Sequence, residues 1–199
     1  GPHRAPAAVR DPLPPEGVSM TYRVMFGGNE IGTQNVRIAQ HDITGHVVVE
    51  HDTKLEVRIL FAVAYTLEHR SREVWDGFTL KSLKATTVEN GKTTVVDGAA
   101  SDKELRIRSG DTEVAVPLDA VTSDSFWIAA ATESSSVVNA RTGDAATPQV
   151  TKLEDGRVNI KASFAHGPVE ATVRYDGDFL AEAEIDDEGQ TVKLVRVDG

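Results

Sequence analysis

The sequence predicts a mainly β protein: a strongly curved antiparallel sheet, a half-barrel or barrel, with one short helix near residues 123–132. Three observations carry this reading. First, Asp76-Gly77, Asn90-Gly91, Asp97-Gly98, Asp155-Gly156 and Asp176-Gly177 separate stretches rich in Val, Thr, Ile and Phe, with Gly27-Gly28, Gly110-Asp111 and Glu188-Gly189 as weaker marks. Such dipeptides suit two-residue hairpins because type I′ turns need positive φ at both central residues, which Gly reaches freely and Asn or Asp tolerates. Second, apolar and polar residues alternate with period two, the pattern of a sheet covered on one face only. Third, the pattern yields roughly a dozen strands, more than an open twisted sheet holds comfortably, so it must curl.

Taken in order, Val18 to Phe26 reads as the first strand, and Gly27-Gly28-Asn29-Glu30 turns it into Ile31 to Gln40. Asp42-Ile43-Thr44-Gly45 makes the next turn. His46 to Leu60 follows, with Leu55, Val57 and Ile59 on one face. Phe61, Val63, Tyr65 and Leu67 continue that alternation, with Ala62, Ala64 and Thr66 opposite, so this stretch reads as buried on both sides. Strands recur at Glu68 to Trp75, Phe78 to Val88, Lys92 to Val96, Glu104 to Arg108 and Thr112 to Val116. Pro117 ends the run. Ser123 to Thr132 is the helical candidate: Ser123 as N-cap, Asp124 in the first turn, and alanines that favour helix. Pro148 to Leu153 resumes the sheet. Three alternating segments follow, led by Val158/Ile160/Ala162/Phe164, Val169/Ala171/Val173/Tyr175 and Phe179/Ala181/Ala183/Ile185, and Thr191 to Val197 closes it.

With 199 residues, 40% of them hydrophobic, the chain can bury one good core. Residues 18–199 are expected to form a single β domain. Residues 1–17 read as a flexible Pro-rich leader, in which Gly1-Pro2 matches the remnant of a cleaved tag. A removed signal peptide would account for such a start, so an exported, periplasmic location is expected. The longest apolar stretch, Ile59 to Tyr65, falls far short of the ~18–20 residues a spanning helix needs. A net charge of −10 argues against nucleic acid, which calls for a basic footprint. Cysteine is absent, which removes disulfides, thiolate nucleophiles and cysteine-based metal sites.

Several segments together carry a resemblance: Tyr22-Arg23-Val24-Met25-Phe26-Gly27-Gly28 with Ile31-Gly32; Glu73-Val74-Trp75-Asp76-Gly77 leading to Leu80 and Leu83; Thr86 to Gly91; Phe126-Trp127; and Val137 to Gly143. On these, the chain resembles exported proteobacterial β-rich families of unknown function, of the DUF3108 and DUF6134 type. The resemblance implies a periplasmic protein with a curved antiparallel sheet, broadly like lipoprotein-carrier folds. It implies no established activity and supplies no catalytic residues.

Candidate chemistry is sparse. His46 and His51 are five apart on a strand and face opposite ways, which spoils them as one metal pair. His69 could meet Glu68, Glu73 or a carboxylate of another strand, or be an ordinary half-buried histidine. Glu182, Glu184, Asp186, Asp187 and Glu188 form the densest acidic run and would suit a hard cation, yet lack the EF-hand alternation, and a solvated hairpin tip explains them. Ser123, Ser125 and Ser134-Ser135-Ser136 have no nucleophile elbow, and no nucleotide motif occurs. No cofactor and no metal ligand set is therefore expected.

The aromatic set remains. Phe126 and Trp127 are adjacent on the expected short helix and cannot both enter one narrow seam, so one of them is expected to line or cover a cavity. With Phe61, Tyr65 and Trp75 they form the candidate ligand-binding residues. The reading that results is a non-enzymatic exported binding protein holding an apolar or lipid-like ligand in its concave face, or an envelope partner. The alternative is a metal-binding protein or enzyme whose polar site assembles from separated strands.

Overall fold

The computed structural model describes residues 13–41, 43 and 45–197. Eight strands come first: β1 (Ser19–Phe26), β2 (Asn29–His41), β3 (His46–Ile59), β4 (Ala62–Asp76), β5 (Thr79–Glu89), β6 (Lys92–Ala100), β7 (Leu105–Ser109) and β8 (Thr112–Val116). A crossing segment follows, with the two-residue strands β9 (Val121–Thr122), β10 (Val137–Val138) and β11 (Ala145–Ala146) and a 3₁₀ turn at Ala129–Glu133. Five strands complete the chain: β12 (Gln149–Lys152), β13 (Val158–Phe164), β14 (Gly167–Asp176), β15 (Phe179–Asp187) and β16 (Gln190–Arg196).

Thirteen strands make one antiparallel sheet in the order β12-β13-β14-β15-β16-β1-β2-β3-β4-β5-β6-β7-β8. The first and last strands of the chain therefore lie side by side at its centre, with Tyr22 opposite Arg196 and Phe26 opposite Val192. The sheet is not closed, since β12 and β8 remain as edges. It curls nonetheless, because one core joins Val173, Ala183 and Leu194 on one side with Val47, Leu83 and Ile107 on the other. Irregularities at Val24/Met25, Val57/Arg58, Val74/Trp75 and Arg174/Tyr175 strengthen the local twist that this curvature needs.

The crossing segment plugs the concave face. Trp127, Ile128, Ala131, Val137, Val138 and Ala140 are buried there. Of the short helix expected near 123–132 only the end is helical, a five-residue 3₁₀ turn at Ala129–Glu133, and the α-helical remainder is lost. Two competitors remove it. Side-chain bonds take the backbone, with the Thr122 amide donating to Ser125 Oγ (3.0 Å) and the Asp124 amide to Thr122 Oγ1 (3.0 Å), and such local bonds oppose helix. Trp127 and Ile128 then pair with β15: the Leu180 amide donates to the Trp127 carbonyl and the Ala129 amide to the Asp178 carbonyl, both at 2.8 Å.

Three further expectations change. Asp97-Gly98 is no turn but lies inside β6, where the missing side chain makes room for Ile107. The stretch through Ile59 to Tyr65 is not one buried strand: Leu60 and Phe61 form a tight turn and Phe61 is 97% exposed. Of the leader, Leu13 and Pro14 are buried, Leu13 in the core, while residues 15–17 are exposed, with the Gly17 amide donating to the Ile38 carbonyl at 2.8 Å. Residues 1–12 lie outside the described residues, as do two positions of the turn read at 42–45.

Gly32 is required by close approach. A Cβ there would collide with the backbone carbonyl of Lys54 on β3, which cannot step aside. At Gly98 the collision is with the flexible tip of Ile107, at 2.6 Å. Gly32→Ala is therefore expected to cost about 3 kcal/mol and Gly98→Ala about 1 kcal/mol or less, with the order of the two as the decisive point. Urea unfolding of both variants checks this, and equal costs would contradict it.

Candidate functional site

The period-two alternation of β3, β4 and β5 puts an unusual set of side chains on the inner face. His51 and Thr53 of β3, His69, Ser71 and Glu73 of β4, and Thr87 of β5 are all buried. Register makes them neighbours, with His51 opposite Ser71, Thr53 opposite His69 and His69 opposite Thr87. From above, the plug lowers Thr122, Asp124 and Ser125 onto this ladder.

Asp124 ties the two layers. Its Oδ2 accepts from His69 Nε2 at 2.6 Å and from the Ser71 hydroxyl at 2.8 Å, while His69 Nδ1 meets the Thr87 hydroxyl at 2.7 Å. Burial works to raise the Asp124 carboxyl, but the His69 ring, His51 and the Ser71 bond outweigh it and hold the group well below the usual carboxylate range. Both ring nitrogens of His69 are thus engaged.

A second pair lies deeper. His51 Nε2 stands 3.8 Å from Glu73 Oε1, too far for a hydrogen bond, and both side chains are 1% exposed. His51 Nε2 has no hydrogen-bond partner among the described residues. Burial pushes His51 down to about 4, the His69 charge adding to the effect and Asp124 opposing it. Glu73 goes the other way, well above its usual range: burial leads, the Asp124 charge adds, and a bond from the Thr122 hydroxyl (3.2 Å) opposes. Burial thus favours the neutral form of each, which for His51 is the form present near pH 7.

Beside this cluster is a cavity of 190 Å³. One wall is apolar and comes from β13–β16: Ile160, Ala162, Phe164, Val169, Ala171, Val173, Leu180, Ala183, Ile185 and Leu194. Small and large residues face one another there, Ile160 opposite Ala171 and Ala183 opposite Leu194, so the alanines leave the space. The other wall is polar, with Gln34, Thr53, His69, Ser123, Asp124, Asn139, Arg141 and Asp187.

Of the aromatic candidates, Phe126 and Trp127 line this cavity. Trp127 is stacked on Phe179 with ring centroids 6.2 Å apart, and the Phe126 carbonyl accepts from the Tyr175 hydroxyl at 2.8 Å. Phe61, Tyr65 and Trp75 are not among the lining residues. Trp75 is stacked on Phe78 in the core (5.0 Å), Tyr65 donates to Glu89 at 2.6 Å, and Phe61 caps a hairpin in solvent. His69, read from sequence as a possible partner of Glu73 or of another strand's carboxylate, meets Asp124. Sequence reasoning missed His51–Glu73, whose only signal was two charged or titratable residues at inward positions of alternating strands.

In the acidic run, Glu182 pairs with Lys193 (2.7 Å) and Arg174 (3.5 Å). Asp187 and Glu188 approach His166, their ligand atoms lying within 4.8 Å of one another. Among the described residues no helix is long and apolar enough to cross a membrane.

The sequence matches Domain of unknown function (DUF6134) over residues 22–197. The chain belongs to this family. No curated protein matches it. Among solved structures it is similar to a β-barrel-like protein of Domain of Unknown Function DUF1849 from Brucella abortus. Sequence identity is 7%, the match covers 90% of this chain and 95% of that one, and the TM-score is 0.56. That likeness concerns the fold alone: a barrel-like antiparallel sheet of this length.

Glu73 and His51 give stability opposite pH slopes. Unfolded, Glu73 loses its proton near pH 4.3, whereas folded it holds the proton to higher pH, so its contribution falls as pH rises above that point. His51 takes up a proton near 6.5 when unfolded but only near 4 when folded, so stability falls as pH drops through that window. Glu73→Gln removes the first slope. The variant is expected to stay within about 1 kcal/mol of the parent at pH 5 and to gain on it as pH rises from there. Urea titrations at pH 5, 6.5 and 8 read this, and a pH-independent difference would refute the assignment.

Proposed function

We propose that this chain is a non-enzymatic binding protein that holds a small amphipathic molecule in the cavity between its plug and the β13–β16 wall. The observation that carries the reading is the cavity's two-sided lining, an apolar floor of ten side chains facing a polar wall around Asp124 and Asn139. Few well-placed polar groups over an apolar surface are what orient a bound small molecule.

Size narrows the occupant. An apolar cavity of roughly 150 Å³ admits benzene, and drug-sized ligands occupy roughly 300–1,000 Å³. At 190 Å³ the compartment suits a single ring or short acyl segment with a polar end. A long lipid chain needs the plug to move. Export to the periplasm belongs to the same proposal and rests on the resemblance to exported families.

The alternative, a metal-handling protein, draws on one observation, the His166, Asp187 and Glu188 grouping at the cavity rim. Calorimetric titration with zinc or calcium decides that reading.

Iodobenzene, a heavy-atom quencher of the size the cavity admits, is expected to quench Trp127 saturably. Ala171→Leu fills the space, so it is expected to weaken that quenching at least tenfold while stability holds or rises by about 1 kcal/mol. Fluorescence titration of both proteins checks this. Linear, unsaturable quenching of the parent would remove the binding reading. Native mass spectrometry before and after organic extraction then identifies any resident ligand.

A further inference from the structure

The β3–β4 hairpin outgrows the sheet. Pairing of β3 with β2 ends at Gly32–Leu55, and pairing of β4 with β5 ends at Leu67–Glu89. Beyond these, Glu56–Thr66, Val57–Tyr65, Arg58–Val63 and Ile59–Ala62 pair only with each other. Four residue pairs at ~3.3 Å each make a two-stranded finger ~13 Å long. Its base is clamped: the Thr66 amide donates to Asn90 Oδ1 (3.0 Å), the Asn90 amide to the Thr66 carbonyl (2.9 Å), and the Tyr65 hydroxyl to Glu89 (2.6 Å).

The tip is apolar and conformationally costly. Leu60 and Phe61 are 90% and 97% exposed, flanked by Ile59 and Val63 at 61% and 50%. Both turn residues have positive φ, 50° and 69°. Among the described residues, the other turns with this geometry are Gly27-Gly28, Asn90-Gly91 and Glu188-Gly189, each with glycine second. Here two bulky residues sit where they are rarely tolerated. Solubility and backbone preference both argue for Asn-Gly at this place. A contact that the free chain lacks accounts for both costs.

We propose that this finger inserts Leu60 and Phe61 into the interface of a zwitterionic phospholipid bilayer. Three features select a bilayer over a protein partner. The tip is convex and narrow, and lipid receives such a shape without a matching pocket. Its nearest charges cancel, since Arg58 pairs with Glu56 at 2.6 Å, so nothing steers it toward a charged surface. The finger also stands beside the cavity: Tyr65 lies within the electrostatic reach of Arg141 and Asp187, both of which line it. The two inserted side chains bring about 11 apolar carbons, against 14 in a myristoyl chain that alone gives an association constant of ~10⁴ M⁻¹. Weak, reversible binding follows.

The test is cosedimentation with phosphatidylcholine vesicles, comparing the parent with Leu60→Asn/Phe61→Gly. That double change strips the apolar tip and installs a favoured turn, so the variant should fold at least as well as the parent. The parent is expected to partition with an association constant near 10³–10⁴ M⁻¹ and the variant at least tenfold less, with an unchanged or higher melting temperature. A Phe61→Trp variant should show a blue-shifted emission on adding the vesicles, quenched by brominated phosphatidylcholine. No partitioning of the parent, equal partitioning of the double variant, or a tip-dependent dimer that ignores vesicles would each overturn the proposal. Iodobenzene binding by the double variant in solution should be unchanged, so failure of the finger and failure of the cavity reading are separable.

Discussion

The bond between Asp124 and His69 is the constraint on which the interior of this protein depends. A half-barrel of thirteen strands leaves a concave apolar face that one chain segment must cover. The crossing segment has only a five-residue 3₁₀ turn to give it stiffness and two-residue strands to hold it. It is positioned from two sides instead. Backbone pairing of Trp127 to Ala129 with the start of β15 fixes one side. The Asp124 carboxylate, bonded to His69 and Ser71 of β4, fixes the other. A hydrogen bond to a buried charged group typically contributes ~1.5–3 kcal/mol, and the Asp124 carboxylate accepts two. Such a bond can hold a plug at a set height above the floor.

That height decides whether the interior is solid or hollow. Well-packed interiors leave few voids larger than a water molecule. Here the plug is anchored over β4 and β15, and the wall beneath it alternates Ile160, Val173 and Leu194 with Ala162, Ala171 and Ala183. Larger residues at the alanine positions would close the gap without disturbing either anchor. The hollow therefore follows from the choice of side chains, while the backbone geometry is that of any strongly curved sheet. The same anchors place the polar groups on one side of the space only, which gives a bound molecule a preferred orientation.

Much of the sheet was legible in the sequence because hairpin turns have local chemistry. Asn90-Gly91 and Gly27-Gly28 form turns where their residue types say they should. Asp97-Gly98 misled, since the same dipeptide serves there to admit the Ile107 side chain within a strand. Leu60-Phe61 was invisible for the opposite reason: its turn is made by residues that carry no turn signal. Ser123 to Thr132 has good helix propensity, yet pairing with β15 overrode it, a long-range contact that no local window contains. Phe126 and Trp127 stood out because adjacent aromatics cannot share one seam. Asp124 did not, because its partner lies 55 residues away on another strand. His51 and Glu73 were hidden similarly, as alternation shows that a position faces inward but not what it meets.

The central claim is that the space under the plug is a compartment for a small amphipathic molecule. Methyl-resolved nuclear magnetic resonance with Ile, Leu and Val labels tests it most directly, using toluene as the titrant. The account predicts saturable shifts centred on Ile160, Val169, Val173, Leu180, Ile185 and Leu194, with Leu83, Leu105 and Ile107 on the far side of the core unmoved. Shifts that are absent, or that spread evenly over both sides, would contradict it.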